Sequence, residues 1–309
     1  MPDCLQLVDA SSVIFRAWFG RPEVAGTHGY GRSALDGWLQ FLWQLQRHHS
    51  CELGAVAFDE SLGTGFRHRI YSGYKANRSL PDEDLGWQLQ QCKQIAEALG
   101  WRLLVSEEYE ADDLIASSSK LAFQQQLPCV IWSQDKDLIQ CLLQEQDRLI
   151  RVDRKGERNR QSVLEEFGLR PEQWVDFQAL TGDAVDGIPG VPGIGPSAAT
   201  HLLQCFDDLD NIYSNLDRVP EQPWRSSARH ASLLAQHRSS AELSRELATL
   251  ADDALPFAGV DEFQRRAVFN LPEAIRAAGF DQRAVDQWCE RFAEAGSNRA
   301  GPGAKRGRD

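Results

Sequence analysis

Pro128-Cys-Val-Ile-Trp-Ser-Gln-Asp-Lys-Asp137 is a short apolar run that stops on two carboxylates one residue apart. A few consecutive apolar residues between polar ones read as a strand buried on both faces. The same figure recurs along the chain. Leu5-Gln-Leu-Val-Asp9 ends on a carboxylate and passes through Ser11 and Ser12 into the helical pattern of Val13-Ile-Phe-Arg-Ala-Trp18. Gly54-Ala-Val-Ala-Phe-Asp59 repeats it. Trp101-Arg-Leu-Leu-Val105 leads to Tyr109-Glu-Ala-Asp-Asp113 at the front of a helix, and Leu149-Ile-Arg-Val-Asp153 predicts a fifth strand. Residues 34–47 show helical periodicity. Strands alternating with helices predict an α/β fold, with a mostly parallel central sheet and helices on both faces.

The acids point to where function lies. Asp9, Asp59, Glu110, Asp112, Asp113, Asp135 and Asp137 fall at or just beyond the C-terminal ends of predicted strands. In an open parallel sheet those ends share one edge, where such folds bind their ligands. A single acid after a strand is commonly a loop residue or a helix cap. Four successive strand ends carrying acids predict convergence on one region. Crowded carboxylates repel and retain protons unless cations neutralise them, and hard oxygen ligands select Mg²⁺ or Mn²⁺. Lys136 lies inside the cluster and offsets part of its charge.

A second informative stretch is Thr181-Gly-Asp-Ala-Val-Asp-Gly-Ile-Pro-Gly-Val-Pro-Gly-Ile-Gly-Pro-Ser-Ala-Ala199. Asp183 and Asp186 are followed by four glycines and two prolines in nine residues, which can continue neither a helix nor a strand. The helical pattern of residues 163–180 precedes this turn, and another begins at Ala198. Unpaired N–H groups at the start of that helix form a natural seat for a phosphate. An acid pair beside an anion cradle is a sensible arrangement if metal ions lie between them. Beyond the turn the pattern is all helical, most clearly over residues 231–250. The residues from 297 to 309 are rich in Gly, Ala and Arg and are expected to be disordered.

Basic residues also cluster. Residues 61–81 hold Arg67, Arg69, Lys75 and Arg78 with no acid, interleaved with Tyr71 and Tyr74, as in segments that hold a phosphate backbone and stack a base. Residues 148–160 carry six Lys or Arg against two acids, either a nucleic-acid face or a solvated one. The net charge of −12 sits poorly with a nucleic-acid binder until the nine site carboxylates are set aside, since they account for most of it. A chain of 309 residues, 42% hydrophobic and 25% charged, reads as globular. No run reaches the roughly 20 apolar residues of a membrane span, and no leader is legible. Seven cysteines without a C-x-x-C pair predict reduced thiols and a cytoplasmic protein. The seven histidines show no ligand spacing.

Taken in order, Val8-Asp9-Ala-Ser-Ser12, Phe58-Asp59, Phe66-Arg67-His68, Tyr74-Lys-Ala-Asn-Arg78, Tyr109-Glu-Ala-Asp-Asp113, Ser133-Gln-Asp-Lys-Asp137 and Gly182-Asp-x-x-Asp186 with Ile188-Pro-Gly-Val-Pro-Gly-Ile-Gly195 resemble the 5′-nuclease, or flap endonuclease, family. The likeness is greatest to the bacterial 5′→3′ exonuclease domain of DNA polymerase I. It runs from about residue 5 to 255 and includes Leu243-Ser-Arg-Glu-Leu-Ala-Thr-Leu250. With 309 residues and no polymerase domain, a stand-alone member is expected.

The resemblance implies a PIN-like α/β nuclease core over residues 1–178, with a helical arch at about 72–92. A helical, helix-hairpin-helix type DNA-binding region at 179–258, a helical extension at 259–296 and the tail at 297–309 would follow. It implies that Asp9, Asp59, Glu110, Asp112, Asp135 and Asp137 hold or orient a first Mg²⁺ or Mn²⁺. Asp183 and Asp186 would serve a second, with Asp135 and Asp137 close enough to share. Asp113, the last acid of its motif, would bind metal directly or through water. Lys75 and Arg78 would contact the scissile phosphate. Arg67, Tyr74, Gly190, Gly193, Gly195 and Ser197 would contact DNA. The backbone carbonyls of Leu180, Thr181, Pro189, Val191 and Ile194 would hold K⁺.

The implied reaction is 5′→3′ exonuclease and flap-endonuclease hydrolysis of DNA, on 5′-flap, branched or 5′-ended duplex substrates, by a monomer using two metal ions about 4 Å apart. Two positions depart from the family pattern. Ala10 replaces the usual Gly, a small change, and Gly187 replaces a frequent Asn, which is expected to loosen a turn contact. The main rival reading is a non-catalytic, structure-specific DNA-binding protein on the same fold. A phosphatase built on Asp135 and Asp137 would want its nucleophilic Asp-x-Asp after the first strand, where Asp9 is followed by Ala10 and Ser11. An RNA-cutting nuclease is less favoured by the late helical region.

Overall fold

Every residue of the runs at 5–9 and 129–132 is buried, as strands covered on both faces must be. The computed structural model describes residues 4–297 apart from 23, 50, 62 and 154. They form two compact units, residues 4–58, 81–104 and 259–297 in one and 59–80 and 105–258 in the other. The units are not linear segments. The expected 1–178 core contributes to both, 179–258 falls in the second, and the extension at 259–296 in the first.

In the first unit β1 (Leu5–Asp9), β2 (Leu53–Ala57) and β3 (Arg102–Leu104) run parallel in the order β3-β2-β1. Val8 stands opposite Val56, and Val56 opposite Leu103. The helices Ala10–Gly20, Ser33–His48 and Glu83–Ala98 belong to this unit. Fully buried Trp38 donates its indole N–H to the Cys92 carbonyl at 2.9 Å. The C-terminal helices Leu271–Ala277 and Gln282–Ser297 dock here, where the Gln46 amide reaches the Phe292 carbonyl at 3.3 Å. Helix therefore extends through Ser297, and the rest of the expected tail lies outside the described residues.

In the second unit β4 (Cys129–Trp132) pairs in parallel with β5 (Arg148–Ile150), and a two-residue β6 (Glu157–Arg158) runs antiparallel to β5. The fifth strand is thus shorter than residues 149–153, and the sixth has no signal of its own in the sequence. Residues 160–248 are helices joined by turns, around a core that includes Leu180, Val191, Ile194, Leu202, Leu203 and Leu234. The single helical pattern expected over 163–180 is three pieces: Arg160–Phe167, a 3₁₀ turn Pro171–Gln173, and Trp174–Thr181. Gly168 turns left-handed at φ 69° and Pro171 cannot extend the first helix. The expected helix at 231–250 is also two, Ser227–Gln236 and Arg238–Ala248, broken where His237 leaves helical geometry. No Gly or Pro marks that break.

Within the expected arch, residues 72–77 form tight turns, and helix starts only at Glu83, capped by the Asp82 carboxylate on the Leu85 N–H at 2.8 Å. In the basic run at 148–160, Arg151 pairs with Asp153 at 2.9 Å, Arg158 with Glu166 at 2.7 Å, and Arg160 with Glu172, so half of its six cations are ion-paired. The seven cysteines are all thiols. Among the described residues no helix is long and apolar enough to cross a membrane.

Candidate metal and nucleic-acid site

Each acid sits where a strand or helix end puts it. Asp9 closes β1 and caps the next helix, accepting from the Ser12 N–H at 3.2 Å and the Ser12 hydroxyl at 2.6 Å. It lies in the first unit. The remaining expected ligands are in the second, where Asp59 accepts from the Ser61 hydroxyl at 3.0 Å and Glu110 begins the helix Ala111–Gln124.

Arg67 is the hub of this unit and is only 2% exposed. Its two terminal nitrogens grip Asp113 at 2.7 Å each, and one also reaches Glu110 at 3.4 Å. Its remaining N–H groups donate to the carbonyls of Leu247 and Thr249, both at 2.8 Å. All five guanidinium donors are spent inside the protein. Asp113 is fully buried and equally committed. Besides Arg67 it accepts from the Glu110 N–H at 3.0 Å and the Ala251 N–H at 2.8 Å, which fills both oxygens. In this arrangement its oxygens tie Arg67 to two backbone N–H groups. Tyr74 is likewise buried, with its hydroxyl on Glu110 at 2.8 Å, and is not available to stack a base.

Lys75 binds Glu110 at 2.7 Å and stands 3.8 Å from Asp186, with 8% of its side chain exposed. Burial opposes its charge, but Glu110, Tyr74 and Asp186 outweigh burial and raise its pKa. Burial raises Glu110, and Lys75 and Arg67 then bring it below the usual carboxylate range. Arg78 holds the other Asp186 oxygen at 2.6 Å while keeping half its side chain in solvent. The Lys75 backbone sits at φ 49° and donates to the Asp186 carbonyl at 2.8 Å. The chain passes so close here that a Cβ on Gly187 (φ 70°) would lie 2.3 Å from the Gly73 carbonyl oxygen. Gly187 thus loosens nothing; it lets two segments touch where Asn would collide.

The loop after β4 is wound by its own side chains. The Asp135 N–H donates to the Ser133 hydroxyl at 3.0 Å, and the Asp137 N–H to Asp135 at 2.8 Å. Asp137 also accepts from the side-chain amide of Gln178 at 2.8 Å. Burial first and Asp135 second push the Asp137 carboxyl up to about 7, with Asp186 and Asp183 adding to it. Asp59 is raised by burial and then by Glu110. Lys136 stands 3.6 Å from Asp183. These shifts mark a group of carboxylates in mutual repulsion, with Lys75, Arg78 and Lys136 as partial counter-ions.

The Gly-Pro turn is a narrow hairpin in which Asp183 and Ile188 exchange backbone hydrogen bonds at 2.8 and 2.9 Å. Gly190 is clamped by one helix, its N–H on Ser244 at 2.8 Å and its carbonyl on Ser240 at 2.7 Å. Its N–H is therefore not offered to a phosphate, contrary to expectation. Gly193, Gly195 and Ser197 are exposed at the start of the helix Pro196–Phe206. Of the expected K⁺ carbonyls, that of Leu180 accepts from the Val191 N–H and that of Val191 from the Ile194 N–H, each at 2.9 Å.

The donor set is all oxygen and suits a hard divalent cation. A buried, unmatched amide oxygen on Gln178, beside Asp137, fits a hydrated one. As the side chains stand, no three acids among the described residues are close enough to enclose an ion. Sequence reasoning missed Gln178, Ser240 and Ser244. They are neutral residues inside helices, and nothing in the sequence marks them.

The family description "5′-3′ exonuclease, N-terminal resolvase-like domain" matches residues 4–168, and "5′-3′ exonuclease, C-terminal SAM fold" matches 169–269. DNA polymerase I of Pseudomonas aeruginosa is 34% identical over 300 residues, covering 95% of this chain and 32% of that protein. The chain therefore spans about a third of the polymerase it matches. A 5′-3′ exonuclease of Buchnera aphidicola is 31% identical over 248 residues, covering 80% of this chain and 86% of that one. The fold is that of a flap endonuclease of bacteriophage T5, solved as a complex with DNA and metal ions. That structure has TM-score 0.62 and 17% identity, and the match covers 95% of this chain and 99% of that chain. A mostly parallel, PIN-like α/β nuclease fold with a helical SAM-type region, matched by both family models across residues 4–269, places the chain in the 5′-3′ exonuclease family.

Proposed function

We propose that this chain hydrolyses DNA phosphodiester bonds as a divalent-metal-dependent 5′→3′ exonuclease and flap endonuclease. The observation that carries the reading is the carboxylate group of the second unit. There Asp135, Asp183 and Asp186 act on Asp137, and Lys75 stands between Glu110 and Asp186, in a chain of this family. Glu110, Asp112, Asp135, Asp137, Asp183 and Asp186, with Asp59, would hold two Mg²⁺ or Mn²⁺. The chemistry such ions would supply when held there is a hydroxide nucleophile and stabilisation of the leaving 3′-oxygen.

The chain's own groups do the rest. Arg67 and Tyr74 orient Glu110, and Lys75 keeps Glu110 and Asp186 together. Half-exposed Arg78 is the cation placed to meet a phosphoryl oxygen as charge develops on it. Duplex would be held by the N–H groups at Gly193, Gly195 and Ser197, with K⁺ on the carbonyls of the same turn. A rival reading, DNA-structure binding without chemistry, draws on the absence among the described residues of three acids enclosing an ion.

Asp135→Ala separates the two. It is expected to abolish Mg²⁺-dependent cleavage of a 5′-flap duplex while the Kd for that duplex in EDTA stays near the unsubstituted value. A variant that cuts at the original rate would remove Asp135 from the site. An unsubstituted protein that binds but never cuts would establish the rival.

A further inference from the structure

Gln178 is 3% exposed, in the middle of the helix Trp174–Thr181 and five residues before Asp183. Its amide nitrogen lies 2.8 Å from one Asp137 oxygen. Ionised, as a metal ligand would be, Asp137 only accepts, so the amide presents its N–H₂ to it and its carbonyl oxygen points away. The carbonyl oxygen, Oε1, is buried and accepts no hydrogen bond from any described residue. Leaving a buried acceptor unmatched is unfavourable, and such an atom calls for a partner. Other buried atoms of this unit also lack a partner, Trp174 Nε1 and His68 Nδ1 among them. What sets Gln178 apart is that its amide stands against an expected metal ligand.

We propose that Gln178 is a positioning residue and outer-sphere partner of the metal site, through both ends of its amide. The N–H₂ occupies one Asp137 oxygen and turns the other towards the cation. Oε1 accepts from a water in the cation's own hydration shell, which Mg²⁺ gives up reluctantly. Neutrality matters here. A carboxylate in the same place would add to the repulsion that already burdens Asp137, whereas an amide orients it without charge. Partners of this kind are commonly worth 10–100-fold in metal affinity. The inference rests on the reading of the acids as metal ligands.

The test uses the full chain, with Gln178→Leu and Gln178→Met as two variants of similar volume. Calorimetric titration with Mn²⁺ alone is expected to show Kd weakened at least tenfold in both. In flap cleavage the Mg²⁺ half-saturation concentration is expected to rise tenfold or more, with kcat at saturating Mg²⁺ within about threefold. Duplex Kd in EDTA should be unchanged, which also verifies the fold. Unchanged Mn²⁺ affinity in a variant that still binds duplex would overturn the role of Gln178 and leave the metal reading standing. No Mn²⁺ binding by the unsubstituted protein would overturn both.

Discussion

Replacing Arg67 by Met tests how the site is built, because it keeps the volume and removes the charge and all five donors. Arg67 and Asp113 are respectively 2% and 0% exposed, so the substitution leaves an uncompensated carboxylate in the interior. Removing one partner of such a pair costs about 3–5 kcal/mol. The Leu247 and Thr249 carbonyls also lose their donors. The reverse change, Asp113→Leu, strands a buried guanidinium together with the N–H groups of Glu110 and Ala251. Replacing both partners removes the unpaired charge, so the double variant should be more stable than the sum of the singles predicts, by about 2 kcal/mol or more. Urea denaturation followed by circular dichroism, with equal slopes, measures all four corners. A cost below about 1 kcal/mol for Arg67→Met, or strict additivity, would refute the hub. The same variant separates anchoring from DNA contact. Where it is folded, its duplex affinity should depend on salt as before, whereas Arg78→Ala should flatten the slope by about one unit.

Gly187→Ala and Gly187→Asn should both destabilise, by at least about 1–2 kcal/mol for Ala from its φ of 70° alone, with a clash at the Gly73 carbonyl besides. Asn tolerates the backbone angle but not the clash, so full stability in Gly187→Asn would contradict the close approach. Ser244→Ala strips the buried Gly190 N–H of its acceptor and should cost about 1–3 kcal/mol in the same denaturation assay; a silent substitution would mean the turn is held elsewhere. Asp137 sets a pH dependence. Its folded pKa is raised from 3.8 to about 7, so the folded state binds the extra proton. Its stabilising contribution is whole below pH 3.8 and is lost as pH rises through about 7. In EDTA, Tm should fall across that window, Mg²⁺ should reverse the fall, and Asp137→Asn should flatten it; an unchanged slope in Asp137→Asn would remove Asp137 as the cause.

The strands that carry the acids were legible because a buried parallel strand is a bare apolar run, and five such runs each stop on a polar residue. The acids at those stops were legible for the same reason. Charge alone does not tell a ligand from a strut, however. Asp113 and Asp112 are adjacent in sequence, and only the arrival of Arg67 from a distant segment commits the first of them. Arg67 lies in a basic segment whose pattern points to a phosphate backbone, yet the nearness in space of Asp113, Leu247 and Thr249 buries it. The break at His237 left no signal, since neither Gly nor Pro marks it. Gln178 was invisible because a neutral side chain in a helix announces nothing until its partner is placed.

The central claim is metal-dependent hydrolysis at a DNA junction. The most direct measurement is cleavage of a labelled 5′-flap duplex, with single-stranded DNA and a matched RNA alongside, in EDTA, Mg²⁺ and Mn²⁺. The account predicts cutting near the junction in Mg²⁺ or Mn²⁺ and none in EDTA. Tight binding of the flap with no cleavage in any metal would contradict it, and the carboxylate group would then serve recognition of DNA structure instead of chemistry.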